Sequence, residues 1–519
     1  MVREQKPLSI VMLNQKNTAG PRKSTHYQQK AHSSASRLLL VLPFLHPAEI
    51  FKLKQATILF FLLIFLITPV KADDREADLF DNEDIFLDDN DTQPSLVETI
   101  SKSLNKKDKT LDIGGRFYYT ASLFSREDEH VKHGRVANTG ITDLYFDAIL
   151  EDDLRFYYQQ KFSNSVVEFE HEIVPLNLSQ LSTSSDIDQL WLKFKLKERY
   201  YFTLGKQQLR LGPGFVWNTT DFINIARFNP LALTDQRLGV NLVKIQMPFS
   251  DYGINLYAIA QFDEAEKLEE MGTFIRMEYL TETAEYAISF NNRKNQALNI
   301  GFDISKGFSI VDLFVSLALI HNDPNLFYVI DEEDGTGPDT PIFAPTNPPP
   351  SIDRSDEWLK QISAGFIFSR NMFDNETLLI NLELFYNEAG YENSDLMPFI
   401  IEDSLTPKAT PENDSSFNPL YFNQYYAALS ISLMNLGPDN DQSISALLIN
   451  NFDDETGVGQ LIYGARPFRD LSFSWSAGYF YGDDGTFHPN ENNFSNPAAD
   501  GTILIPPRFF TQIQLVLSF

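Results

Sequence analysis

The strongest constraint on this chain is an alternation of apolar and polar side chains with a period of two residues. It is cleanest in the last fourteen residues, PPRFFTQIQLVLSF. There Phe509, Ile513, Leu515, Leu517 and Phe519 fall on one face, and Gln512, Gln514 and Ser518 on the other. A period of two is that of a strand with one face in apolar surroundings and the other in polar ones. Leu298, Ile300, Phe302 and Ile304 alternate with Asn299, Gly301 and Asp303 in the same way. So do Leu378 to Tyr386 with Asn381 and Glu383, and Leu471 to Tyr481 with Ser472, Ser474, Ser476 and Gly478. The spacings of three and four that a helix needs are missing from these segments.

Such segments recur along the chain. Strands are expected near 111–123, 141–151, 153–163, 187–197, 200–211, 236–248, 253–262, 272–281, 284–293, 296–305 and 308–320. The series continues near 358–370, 375–387, 421–435, 442–452, 456–466, 470–481 and 506–519. Every second connection is tight, including Asp152, Glu282, Lys306-Gly307 and Pro467–Arg469, and the others include all the long ones. No run of 18 apolar residues follows Ala72, so helical spans are excluded there. The expected fold is all-β: a closed antiparallel transmembrane β-barrel of about 18 strands (16–18) over 111–519, since in hydrocarbon a sheet must close on itself to pair its backbone. A lumen that wide is expected to hold water. A soluble sandwich or propeller would show the same alternation, but it leaves the N-terminal features below without a reason.

Residues 52–72 read as a signal peptide: Lys52 and Lys54, an apolar run Ala56–Val70, then Val70-Lys71-Ala72 as the cleavage site. Residues 1–51 look like a non-native or unstructured extension, with the true start of translation downstream of Met1. Residues 73–110 are expected to be an acidic, disordered periplasmic tail, with ten acidic residues against Arg75 between Asp73 and Asp91. Residues 1–72 carry a net charge of +8, which leaves −37 for the remainder of a chain whose total is −29. So acidic a body argues against nucleic acid as a partner. There is no cysteine, and hence no disulfide or thiolate ligand.

The terminal strand ending on Phe519 resembles that of Gram-negative outer-membrane β-barrels. The resemblance implies a location in the outer membrane, with its lipid and lipopolysaccharide as surroundings and Phe519 as the residue read by the barrel-insertion machinery. A second stretch is more distinctive: Gly205-Lys206-Gln207, Gly212-Pro213-Gly214, Trp217-Asn218, Asp221, Asn229-Pro230 and Arg237-Leu238-Gly239. It resembles a region of large outer-membrane porin-like barrels, including the alginate-export type. That resemblance implies that loop 212–235 folds inward and puts Asp221, Arg227, Asp235 and Arg237 at a pore constriction. Gly212 and Gly214 would supply the backbone freedom for the turn. An external loop held by hairpin geometry alone is the alternative.

The polar strand faces bring Arg116, Arg155, Lys193, Lys195 and Arg276 to the lumen, among other residues, so the wall of the first half of the barrel is locally basic. Rings of charge in a pore select ions of the opposite sign. Mutual pairing of these side chains is the competing reading. Asp331–Asp334 and Pro348–Pro350 mark an irregular surface loop, whose carboxylates could bridge cations to lipopolysaccharide. No GxSxG, HExxH or Walker motif is present, Ser103–Lys106 lies before the first strand, and the expectation is no enzyme and no cofactor. The functional expectation is an outer-membrane porin for passive diffusion of small polar or anionic solutes, saccharides among them. An exit duct for a secreted polysaccharide and a surface-structural or adhesive barrel stay open, as does an oligomer.

Overall fold

The structure is a computed structural model. It describes residues 110–519 apart from 126–133, 152–153, 166–171, 174–182, 198, 225, 264, 266, 331–346, 373–374, 406–416, 490–502 and 505–506. The expected extension, signal peptide and all but the last residue of the acidic tail lie outside the described residues. So do Ser103–Lys106 and Asp331–Asp334.

Eighteen long strands follow one another in chain order. They are β1 Thr110–Ser125, β2 Arg135–Glu151, β3 Leu154–Ser165, β4 Ser184–Leu196, β5 Tyr200–Gln207 and β6 Val240–Phe249. Next come β7 Ile254–Gln261, β8 Gly272–Leu280, β9 Ala284–Asn292, β10 Leu298–Phe308, β11 Val311–His321 and β12 Trp358–Asn371. The last six are β13 Thr377–Asn387, β14 Tyr425–Leu436, β15 Gln442–Asn451, β16 Gly457–Phe468, β17 Leu471–Tyr481 and β18 Phe509–Ser518. Each pairs antiparallel with the next. β18 returns to β1 in a ladder that sets Phe509 opposite Ser125 and Ser518 opposite Arg116. Phe519 extends the seam, exchanging backbone hydrogen bonds with Gly115 at 2.8 and 3.0 Å. Gly115 is required there, because a Cβ would lie 2.7 Å from the backbone carbonyl oxygen of Asp143. The sheet is thus a closed barrel with no free edge, as expected from the alternation.

The strand faces separate as the alternation predicts. On β8, Ile275, Met277 and Tyr279 stand on the exposed outer face, while Phe274, Arg276 and Glu278 are buried inside. Ile288, Phe290, Ile513 and Leu515 continue the exposed apolar exterior on β9 and β18. Among the described residues no helix is long and apolar enough to cross a membrane. The longest helix of the described residues, α1 Met397–Leu405, packs in an apolar cluster with Phe417, Phe422 and Tyr391 instead.

Three expectations are corrected. The strand expected over 200–211 stops at Gln207, and that expected from 236 begins at Val240, so the connection runs over 208–239. Its Leu211 and Ile223 leave the sheet to pack on Val240, Leu242, Ile259 and Phe274. The turn expected at Lys306-Gly307 lies at Ser309 and Ile310, because Phe308 and Val311 still pair and Ser309 takes the positive φ of 60°. Finally, the lumen is not simply a water-filled bore. Inner-face residues Phe385, Tyr426, Ile449, Val458, Phe480, Phe510 and Phe124 form an apolar collar around β13–β18 and β1, and Val216, Trp217, Leu231 and Leu420 pack on it. Each large side chain so buried contributes about 1.5–3 kcal/mol, which favours chain packed against this part of the inner wall.

Candidate functional site

The connection 208–239 is positioned by polar contacts to strands all around the inner wall. Phe215 and Val216 donate their backbone N–H groups to Glu383 Oε2 on β13 at 3.0 and 2.8 Å, and Trp217 donates its own to Oε1 at 3.0 Å. Thr220 donates to Asp303 Oδ1 on β10 at 2.8 Å, and Gln261 on β7 donates to the Ile223 carbonyl at 3.0 Å. Gln460 on β16 reaches the Leu231 carbonyl at 3.1 Å, and Thr234 donates to Gln514 on β18 at 2.8 Å. Gly239 donates to Asp188 on β4, while Lys161 on β3 pairs with Asp188 at 3.4 Å. Wall strands so widely separated can be reached only by a segment that crosses the lumen.

Local chemistry shapes the crossing. Gly212 has φ +88°, and a Cβ there would overlap Asn218 Oδ1 and Thr220 Oγ1. Asn218 in turn donates to the Leu211 carbonyl and closes the turn. Trp217 stacks on Phe385 at 5.3 Å between ring centroids and donates its indole N–H to the Leu420 carbonyl at 2.8 Å.

Against this scaffold, Arg210, Asp221, Asn224, Arg227, Phe228, Arg237 and Tyr421 line a small hollow that opens to solvent. Arg237 holds Asp235 through a fork of contacts at 3.0 and 2.7 Å and lies 4.0 Å from Asp221. Arg210 and Arg237 both lie over the Phe228 ring, at 5.6 and 5.5 Å, and Arg227 lies over Tyr421 at 4.9 Å. Among the described residues no carboxylate comes within ion-pair distance of Arg210 or Arg227. Three guanidiniums therefore face two carboxylates. Burial pushes the Asp221 carboxyl above the usual aspartate range, outweighing its bonds from Asn224 and the charges of Arg227 and Arg237. Burial also acts upward on Asp235, but the hydrogen bonds of Arg237 prevail and hold it below that range.

The loop thus brings Asp221, Arg227, Asp235 and Arg237 into one place. The wall residues are elsewhere and differently engaged. Arg276 is buried on β8, 2.7 Å from Glu278 and 2.6 Å from Asp303, so its charge is consumed within the wall. Arg155 forks onto Asp147 at 2.6 Å and lies over Trp191 at 5.5 Å. Lys193 pairs in register with Arg155, and Lys195 lies over Tyr201 at 5.7 Å, all toward the tight-turn end of β3–β5. Arg116 stands opposite Asp143 on β2.

Sequence reasoning did not single out Arg210, Asn224, Phe228 or Tyr421 as site residues, nor Glu383 and Asp188 as anchors. A carboxylate on the polar face of LLINLELFYN, next to Asn381 on that face, was a visible sign for Glu383. Nothing local marks Tyr421, which arrives from a connection some 200 residues later. Among the described residues, no three His, Cys, Asp or Glu side chains come together as a metal site.

Fold and site together define a closed 18-stranded transmembrane barrel narrowed from inside by one of its own loops. No protein-family model matches the chain, and no curated protein matches it. Among solved structures it is similar to Pseudomonas aeruginosa OccK9 (OpdG), at 10% identity and a TM-score of 0.44 over 80% of this chain and 98% of that one. A BenF-like porin from Pseudomonas fluorescens matches at 11% identity and a TM-score of 0.43, over 80% and 98%. Escherichia coli Wzi, an outer-membrane protein involved in group 1 capsule assembly and a carbohydrate-binding β-barrel, matches at 10% and 0.43, over 78% and 84%.

Proposed function

We propose that the chain is a bacterial outer-membrane channel for passive diffusion of small polar solutes, with a preference for anions set at the loop constriction. One observation carries the reading: Arg210, Arg227 and Arg237 stand with Asp221 around a solvent-open hollow inside a closed barrel, and Asp235 is bonded to Arg237 beside it. A net positive eyelet attracts anions, and a loop packed across the lumen restricts passage to small solutes. The leader at 52–72, cleaved after Ala72, would deliver the chain to the periplasm, and Phe519 would present it to the insertion machinery. The tight turns then face the periplasm and the long loops the exterior. Arg116, Arg155, Lys193 and Lys195 belong to the periplasmic vestibule in this reading, and Arg276 to the wall.

A second reading has a specific observation in its favour. The apolar collar has segments of two connections packed on it inside the loop-side lumen, which suits a structural barrel or a plugged export duct of the alginate-export kind. Single-channel recording of the refolded mature chain across a salt gradient separates them. Discrete steps with an anion-biased reversal potential support the channel; a silent bilayer supports the closed barrel.

A further inference from the structure

We infer that Glu383 is the positioning residue of the constriction: its carboxylate on the barrel wall captures three consecutive loop N–H groups and thereby sets where the eyelet guanidiniums stand. This rests on the channel reading above and identifies what holds that channel's narrow point.

Glu383 lies on the inner face of β13 and is 1% exposed. Besides the N–H groups of Phe215, Val216 and Trp217, it accepts the Ser363 hydroxyl from β12 at 2.7 Å. Among the described residues no cation pairs with it. An ionised carboxylate removed from water is costly unless its oxygens are satisfied, and four donors match its four lone-pair directions. Successive backbone N–H groups turned toward one anion are an anion-binding concavity. Here the anion is supplied by the wall, so the loop is held by charge-assisted bonds at the point where it approaches β13. Hairpin geometry alone would need no such group.

The clamp reaches the eyelet through packed rings. Trp217 stacks on Phe385, two residues along β13 from Glu383, and Tyr421 packs edge-on against Phe385 at 5.4 Å. Tyr421 carries Arg227 on its face at 4.9 Å. Glu383 touches no arginine of the eyelet, yet it fixes the turn on which this series of contacts depends.

The test joins amide exchange of the full refolded chain with single-channel recording. In the wild type, the amides of Phe215, Val216 and Trp217 should exchange at least about tenfold more slowly than that of exposed Ala226, in keeping with charge-assisted bonds. E383Q preserves volume but removes the charge. It should lose this protection by about tenfold, raise conductance and weaken anion bias, while β13 amides stay protected. S363A, which leaves all three loop bonds in place, should keep the loop protected. If the wild-type amides exchange as fast as Ala226, or if E383Q leaves both exchange and conductance unchanged, the inference is overturned. A wild-type barrel that is silent yet protected at 215–217 overturns the channel reading and leaves the clamp standing.

Discussion

Arg276 Nη1 lies 2.6 Å from Asp303 Oδ2 inside the barrel wall, with both side chains buried. The same Asp303 accepts Thr220 from the crossing loop and Ser316 from β11 through its other oxygen. One carboxylate therefore pairs with a wall cation and anchors the crossing loop at once.

Replacing Asp303 with alanine should destabilise the barrel by about 1–3 kcal/mol, because Thr220 and Ser316 lose their buried acceptor while Glu278 still pairs with Arg276. Denaturant titration followed by the loss of heat-modifiable gel mobility measures it. Arg276→Met should also destabilise the barrel, because it leaves Glu278 and Asp303 buried without the cation they share. Unchanged denaturant stability in that variant would show that the two carboxylates do not rely on Arg276.

Arg227→Ala and Arg237→Ala should both move the reversal potential toward cations. One unit charge acting at about 4 Å through water is worth about 1 kcal/mol, or on the order of fivefold in permeability ratio. Arg237→Ala should have the larger effect, since it also frees Asp235 and Asp221 from their shared partner. Equal reversal potentials in both variants and the wild type would place these residues away from the current path.

Selectivity should depend on pH with a definite sign. Asp221 has a raised pKa, so on acidification it takes up its proton before an ordinary exposed aspartate does, and Asp235, held low by Arg237, follows last. Each proton removes a negative charge, so anion preference should rise as pH falls from neutral. Asp221→Asn should show the acid-side preference already at neutral pH and lose the first step of the titration.

Gly212→Ala tests the turn that feeds the clamp. A side chain at φ +88° costs about 1–3 kcal/mol, and this one also meets Asn218 and Thr220. The barrel should still assemble, with unchanged heat-modifiable mobility, while conductance rises and becomes noisier. Unaltered single-channel traces would show that the turn tolerates the change.

Legibility in the sequence followed the range of the interaction. The outer faces were readable residue by residue, because hydrocarbon admits only apolar side chains at every second position, as with Ile275, Met277 and Tyr279. The inner faces were readable where they are polar, as with Asp303 and Ser476. They misled around the loop-side collar, where LELFYN places Leu384 and Phe385 side by side with one facing out and the other in. Two-sided apolar stretches look like local exceptions until a packing partner is known.

The sequence by itself determined the closed antiparallel barrel and the strand series, because alternation and the pairing demand of a sheet in hydrocarbon act between near neighbours. The tertiary structure alone decided that Glu383 would receive the loop at 215–217, that Tyr421 would carry Arg227, and that Arg276 would be spent on Asp303. Those contacts join residues tens to hundreds of positions apart, and only the circumference of the closed sheet brings them within hydrogen-bonding distance.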